Sequence, residues 1–184
     1  DGLVIGRATA DEVVLVSDGE GLAAERGCAL KAHGIEKLRR RGPIRLPGAW
    51  CTAGPLRTAR PRTSPRREAR GRVLVLDHDA VVLYRELADD HCGLLAIGDD
   101  TTAAALHIGV HLGLPVLGII DGDGDSIVPP CGGAAGSLVL LATADRDDDL
   151  GREIADGCDD RPTDWEAFVA RTLRILRGRV RVVR

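Results

Sequence analysis

The chain has 184 residues, 44% of them hydrophobic, and a formal net charge of −3. That is material for one good core, or for a core with a small appendage, and the mild acidity argues against a global basic field for nucleic acid. No apolar run approaches the roughly 18 residues that a membrane span requires.

Aromatic residues make up only 2% of the chain, so its core has to be built from Val, Leu, Ile and Ala. In chain order, residues 3–9 and 12–17 read as two short strands of a hairpin, with Ala10-Asp11 as the turn and Asp18-Gly19 ending the second strand. Residues 29–41 have the polarity of an exposed helix. From 42 to 71 the chain is rich in Pro, Arg, Gly and Thr, and includes GPLRTARPRTSPRREARGR. This stretch is read as a linker or a long functional loop. Residues 1–71 are therefore expected as a small β-hairpin, a helix and an Arg/Pro-rich loop.

After Gly71 the texture changes. Residues 72–76, 94–98, 115–120 and 138–143 are apolar strands, with 180–183 as a last edge strand. Residues 79–90, 101–112, 147–156 and 164–177 are helices between and after them. Strands that are apolar throughout, alternating with helices, predict a parallel sheet covered on both faces. The expected fold of residues 72–184 is α/β, a three-layer Rossmann-like and mainly parallel sheet.

Each of the four strands ends in acid. The first is followed by Asp77-His78-Asp79 and the second by Asp99-Asp100-Thr101-Thr102. The third is followed by Asp121, Asp123 and Asp125, the fourth by Asp145 and Asp147-Asp148-Asp149. In a parallel sheet all these ends point one way, and ligands of open α/β sheets bind along that edge. Clustered carboxylates repel and lose hydration, a cost that a hard divalent cation removes. Mg²⁺ takes oxygen ligands and is commonly bound by one or two carboxylates plus a phosphate. The metal candidates are Asp121, Asp123 and Asp99, with Asp125 and Asp77 as further ligands or supports. Asp99 or Asp100 can cap the next helix, whose first N–H groups favour phosphate. Thr101 and Thr102 add hydroxyls there, and Gly122 and Gly124 permit a tight turn and close approach of an anion. Asp100, Thr101, Thr102, Gly122 and Gly124 are thus the phosphate candidates.

Plainer readings compete at each point. Asp before a helix is often a cap alone, and a D-G-D-G-D loop is often a solvated turn. The run 147–149 reads best as a solvated helix start. His78 fits a base, a ligand or a structural histidine equally. His107 and His111 are four apart, a zinc-like spacing with no third ligand nearby, and read as ordinary helix positions. The loop lacks the glutamate an EF-hand needs; Gly132 stands there. There is no G-x-x-x-x-G-K-[ST] and no G-x-G-x-x-G after a strand. The five cysteines are scattered with no C-x-x-C pair, which fits a reducing cytoplasm better than disulfides or structural zinc. The arginines between 57 and 72 suit a phosphate or RNA clamp, or simply a solvated loop. No catalytic residue is assigned.

VLDHDA, IGDDTTAAA and LGIIDGDGD, in that order, with the upstream GLVIGRATADEVVLV and GPLRT, resemble an uncharacterised family of archaeal proteins known mainly from methanogens. The resemblance runs from Asp1 to about residue 151. It implies an archaeal cytoplasmic protein, with a further N-terminal region ahead of Asp1 that agrees with the absence of Met, and it implies no activity. Locally, GLPVLGIIDGDGDSI resembles the acidic loop of thiamin pyrophosphokinase and of archaeal pterin pyrophosphokinases. That likeness implies Mg²⁺ on Asp121, Asp123 and Asp125 for pyrophosphoryl transfer. Asp121-x-Asp123 is also similar to the Toprim Asp-x-Asp, though Toprim's glutamate is missing and Asp99 stands in its place.

Three functions are carried forward. The first is Mg²⁺-dependent binding of, or phosphoryl or pyrophosphoryl transfer on, a nucleotide or phosphorylated ligand. The second is a non-catalytic nucleotide-sensing or partner-binding module. The third is Toprim-like nucleic-acid chemistry, which requires the arginines of 57–72 to lie beside the acidic edge.

Overall fold

The computed structural model describes residues 5–47, 63–124, 131–158 and 161–184. The chain forms two compact units, Asp1–Leu56 and Arg57–Arg184.

The first unit contains β1 (Gly6–Ala8), β2 (Val14–Ser17), β3 (Leu22–Arg26), β4 (Cys28–Leu30) and α1 (Ala32–Arg40). The hairpin expected between residues 3–9 and 12–17 does not form. β1 pairs with β4, and β2 pairs with β3, both antiparallel. Turn chemistry explains the difference. The Asp18 carboxylate accepts the N–H groups of Glu20 at 3.0 Å and Gly21 at 2.6 Å, and Gly19 adopts φ +94°, so the chain reverses after β2. Ala10-Asp11 offers no such device. Gly27, at φ +69°, is followed by β4, and a Cβ there would lie 1.9 Å from the Glu12 carbonyl oxygen. Pairing with β1 holds residues 28–30 extended, so α1 begins later than its polarity suggested. Leu22, Ile35 and Ile44 form this unit's small core.

The second unit contains β5 (Arg70–Asp77), α2 (Val82–Glu86), β6 (His91–Ile97), α3 (Asp99–Leu112), β7 (Val116–Ile120), β8 (Leu138–Ala142), α4 (Asp147–Ala155), β9 (Thr163–Asp164), α5 (Trp165–Ile175) and β10 (Val180–Val182). The sheet order is β10-β8-β7-β6-β5-β9. β5 to β8 run parallel, and β9 and β10 are antiparallel at the two edges. This is the expected α/β architecture. β9 was not anticipated, because two residues carry no periodicity. α2 is far shorter than residues 79–90: the Asp79 side chain takes the Val81 N–H at 2.8 Å, and Leu83 is the one buried residue of the helix.

All seven residues of β6 are buried, which is why its sequence is apolar without alternation. Successive side chains leave opposite faces of the sheet. Leu74, Leu76, Leu94 and Val116 pack with Leu83, Ala105 and Leu106 of α2 and α3. Leu95, Leu117, Ile119 and Leu140 pack with Leu150, Ile154, Trp165 and Phe168 of α4 and α5. Small residues let the layers close. A Cβ on Gly93 would sit 2.1 Å from the Trp165 ring, and one on Gly118 would sit 2.3 Å from the Thr102 methyl.

The described part of the Arg/Pro-rich stretch is docked rather than free. Ser64 and Arg67 donate backbone N–H groups to the carbonyls of Val110 and Gly113 at the end of α3. Arg57, Arg60 and Arg62 fall outside the described residues. Among the described residues, no helix is long and apolar enough to cross a membrane.

Candidate functional site

The four parallel strands end in step. The His78 N–H donates to the Ile97 carbonyl at 3.2 Å, and the Gly98 N–H to the Ile119 carbonyl at 2.9 Å. The segments after β5, β6, β7 and β8 therefore open on one edge. Gly98, at φ +100° and ψ 147°, turns β6 directly into α3 and has no side chain to cap it. Asp99 and Asp100 fall in the first helical turn, so the cap expected of Asp99 is not the bond it makes. Its carboxylate instead reaches the end of β7, where one oxygen accepts the N–H groups of Asp121 at 3.2 Å and Gly122 at 3.0 Å. The Asp121 carboxylate in turn accepts the Asp123 N–H at 3.2 Å. Gly122 takes φ +89°, and Gly124 lies so close to Asp99 that a Cβ would come within 2.8 Å of the Asp99 Cβ.

Asp99, Asp121 and Asp123 consequently each offer an oxygen within 4.8 Å of the others. Burial pushes the Asp99 carboxyl up from its ordinary value; the Gly122 and Asp121 N–H groups offset part of this, and the charges of Asp121 and Asp123 add to it. Among the described residues, no basic side chain pairs with any of the three. Asp125 lies outside the described residues.

A second group stands on the same edge. His78 Nδ1 is 2.7 Å from Asp77 Oδ1, and His78 Nε2 is 3.2 Å from Asp148 Oδ1. Arg146 reaches the other Asp148 oxygen at 3.2 Å. His78 has φ +54°, the one positive φ outside glycine among the described residues. Its ring rests over Gly98, where a Cβ would be 3.1 Å away.

Asp147, the first residue of α4, belongs to neither group. It is only 5% exposed, and burial first, then the charge of Asp121, push its carboxyl up, while His78 pulls it down. One of its oxygens accepts the Asp148 N–H at 2.8 Å. The reading of 147–149 as a solvated helix start holds for Asp149 and is corrected for Asp147. The missed signal was the stripe Asp147, Leu150, Gly151, Ile154, the spacing of one helix face. A Cβ on Gly151 would be 2.6 Å from Ile97, so α4 packs closely against the end of β6.

The remaining candidates divide. Thr101 is buried in the first turn of α3. Thr102 is turned inward: its hydroxyl donates to the Ala96 carbonyl at 3.4 Å and its side chain packs on Gly118. Asp100 is half-buried in the same turn. His107 and His111 lie further along α3 and join no candidate metal group among the described residues. Burial pushes the Cys92 thiol up, away from the reactive thiolate.

Fold and site together define an α/β domain with a cluster of carboxylates at the strand ends. The chain belongs to a family described as uncharacterised proteins conserved in archaea (DUF2117), whose model matches residues 1–161. It is similar to the uncharacterised protein MJ0065 of the methanogen Methanocaldococcus jannaschii, with 32% identity over 157 residues. That alignment covers 83% of this chain and 42% of the relative, so the chain spans less than half the relative's length. No solved structure matches it significantly.

Proposed function

We propose that this edge binds Mg²⁺ on Asp99, Asp121 and Asp123, and through the ion holds the phosphate of a nucleotide or other phosphorylated ligand. The observation that carries this reading is the convergence of three carboxylates from two adjacent strand ends within 4.8 Å, with no basic partner among the described residues. Repulsion of this kind is relieved by a hard cation with oxygen ligands. Asp125 continues the same loop and is a further ligand in this reading. Asp77 is a weaker one, because His78 engages its oxygen.

The amino end of α3 faces the same edge and suits a phosphate, and Gly122 and Gly124 permit its close approach. Two carboxylates share that turn, so the phosphate enters with its ion rather than to the helix end alone. Thr101 belongs to this half of the site through its backbone, and Thr102 positions the turn. If the site is catalytic, phosphoryl or pyrophosphoryl transfer fits it, since charge neutralisation and positioning do most of that work. A sensor needs only the phosphate half and would tolerate splayed aspartates, so the convergence favours an ion. Nucleic-acid chemistry of the Toprim kind is disfavoured, because Arg66, Arg67, Arg70 and Arg72 gather at the opposite ends of the strands. The described cysteines form no disulfide with one another, which suits a cytoplasmic setting.

The test is titration with Mg²⁺ and Mn²⁺, with and without ATP, GTP or pyrophosphate, following thermal unfolding. An ion at a hundredfold excess over its Kd adds about 2.7 kcal/mol, or roughly 5–10 °C for a chain of this size. Asp121→Asn combined with Asp123→Asn is expected to abolish the Mg²⁺ shift. Equal shifts in wild type and variant would overturn the reading.

A further inference from the structure

We propose that the first unit carries a docking surface for the phosphate backbone of a nucleic-acid duplex, made by Lys37, Arg40, Arg41 and Arg45 at the end of α1. This does not rest on the Mg²⁺ reading, because it uses different residues in the other unit.

Charge separates this stretch from the rest of the chain. In KLRRRGPIR, residues 37–45, five of nine residues are Lys or Arg and none is acidic. The whole chain stands at −3, so everything outside the stretch sums to −8. Local structure gathers the cations. Ile35 and Leu38 pack into the small core of the unit. Lys37, Arg40 and Arg41 are three and four residues apart, which makes them neighbours on the helix surface, and Arg40 lies on the side opposite Ile35 and Leu38. Arg40, Arg41 and Arg45 are exposed, and Lys37 is half-buried.

The cations stand on a fixed mount. Ile44 is buried; its N–H donates to the Gly19 carbonyl at 2.8 Å, and its carbonyl accepts the Ser17 hydroxyl at 2.9 Å. Arg39 belongs to this mount, since its Nε donates to the Glu20 carbonyl at 3.0 Å. Glu36 is the one acid on α1, and it pairs with Arg40 at 2.5 Å. Cations near a helix carboxyl end complement its dipole, and that is the competing account. It does not explain Lys37 set beside Arg40 and Arg41, because like charges at this spacing repel. Nor does it explain Arg45, which lies beyond the helix. A dense polyanion removes that repulsion.

The kind of polyanion follows from what surrounds the cations. Guanidinium groups match phosphate oxygens in pairs. An anionic membrane is also held by inserted apolar side chains, but the exposed large hydrophobic residue among the described part of this unit is Val16, on β2. Single strands are held by bases stacked on aromatic rings, and residues 5–47 contain no aromatic residue. Duplex backbone, contacted without base readout, fits what is present.

The test titrates the full chain against fluorescein-labelled DNA and RNA duplexes of mixed sequence, in EDTA so that the acidic edge holds no ion, following anisotropy. A Kd of about 10⁻⁴–10⁻⁶ M is expected, and contact with three or four phosphates gives a slope of log K against log salt of about −3 to −4. Lys37→Gln with Arg40→Gln and Arg41→Gln should weaken binding at least roughly tenfold and flatten the slope to about −1. Arg45→Gln, outside the helix, should reduce the slope by about 1. Arg174→Gln with Arg177→Gln and Arg181→Gln removes the same charge from exposed positions of the second unit and should leave the slope unchanged. Equal losses in the two triple variants would overturn the proposal. So would an absence of duplex binding by wild type, including the case in which phosphatidylserine vesicles bind instead.

Discussion

At the amino ends of β5 to β8 the charges come in opposite pairs; at the carboxyl ends Arg85 pairs with Asp79 and Arg179 with Asp145 and Glu153, but Asp99, Asp121 and Asp123 face one another. Arg72 grips Asp90 through two bonds of 2.6 and 3.0 Å, and Arg66 and Arg67 stand 3.7 and 3.9 Å from Glu166 and Asp89. At the other end, Asp99, Asp121 and Asp123 each bring an oxygen within 4.8 Å of the others, and among the described residues no basic side chain pairs with any of the three. Folding alone settles the electrostatics of the first edge. On the proposed reading, the second edge is settled when a cation binds. Stability and ligand binding are therefore expected to separate along the strands.

Three experiments can break or sharpen that separation. The largest effect belongs near the amino end of β6, where Gly93→Ala drives a methyl into the Trp165 ring. Overpacking of this kind should cost about 2–3 kcal/mol in denaturant unfolding, with the ion titrations unchanged. A shifted ion affinity would show that the two edges are coupled.

The second effect has the opposite sign. Asp99→Asn and Asp147→Asn should each stabilise the ion-free protein at neutral pH by up to about 1 kcal/mol, while weakening its response to cations. The pH dependence follows from the direction of the shifts. Both carboxyls are raised above the ordinary value of 3.8, so the folded protein binds protons more tightly than the unfolded chain. Their contribution is most favourable below that value and is lost as pH rises through the raised folded pKa values. Subtracting the double variant's stability–pH curve from that of wild type should isolate this fall, and saturating cation should remove it. A difference that rises with pH would mean the carboxylates are already neutralised by the fold.

The smallest effect is expected at Arg72→Ala. The Arg72 guanidinium holds the Asp90 carboxyl below its ordinary value, a contribution present above that value and lost as pH falls through the lowered one. The pair is solvent-exposed, so the loss should be slight and should fade at high salt. A large, salt-insensitive loss would make this edge more than a set of surface pairs.

Much of the second unit was legible beforehand. Runs such as LLAI in β6 and VLGII in β7 are apolar because both faces of the sheet are covered, and that burial leaves a direct mark on composition. The gathering of Asp99 and Asp121 followed from parallel strands ending together. Their bond was not legible: Asp99 or Asp100 was expected to cap the following helix, and only the position of β7 shows that the Asp99 oxygen serves the Asp121 and Gly122 N–H groups. Asp147 was misread because three consecutive aspartates look solvated, although its place in the stripe with Leu150, Gly151 and Ile154 pointed inward. The first hairpin failed on turn chemistry, since Asp18 and Gly19 make a better reversal than Ala10 and Asp11. The docking of residues 63–69 was not legible, because the N–H groups of Ser64 and Arg67 that bond the end of α3 belong to the backbone and leave no mark on the sequence.

By itself the sequence determined the alternation of strands and helices, the apolar character of the central strands and the acid at each strand end. These are local properties, set by what each segment must bury or expose. The tertiary structure decided which carboxylates share a point, which one loses its water and which strand pairs with which. Those outcomes depend on contacts between residues far apart in the chain, and such contacts leave no pattern in any short stretch of it.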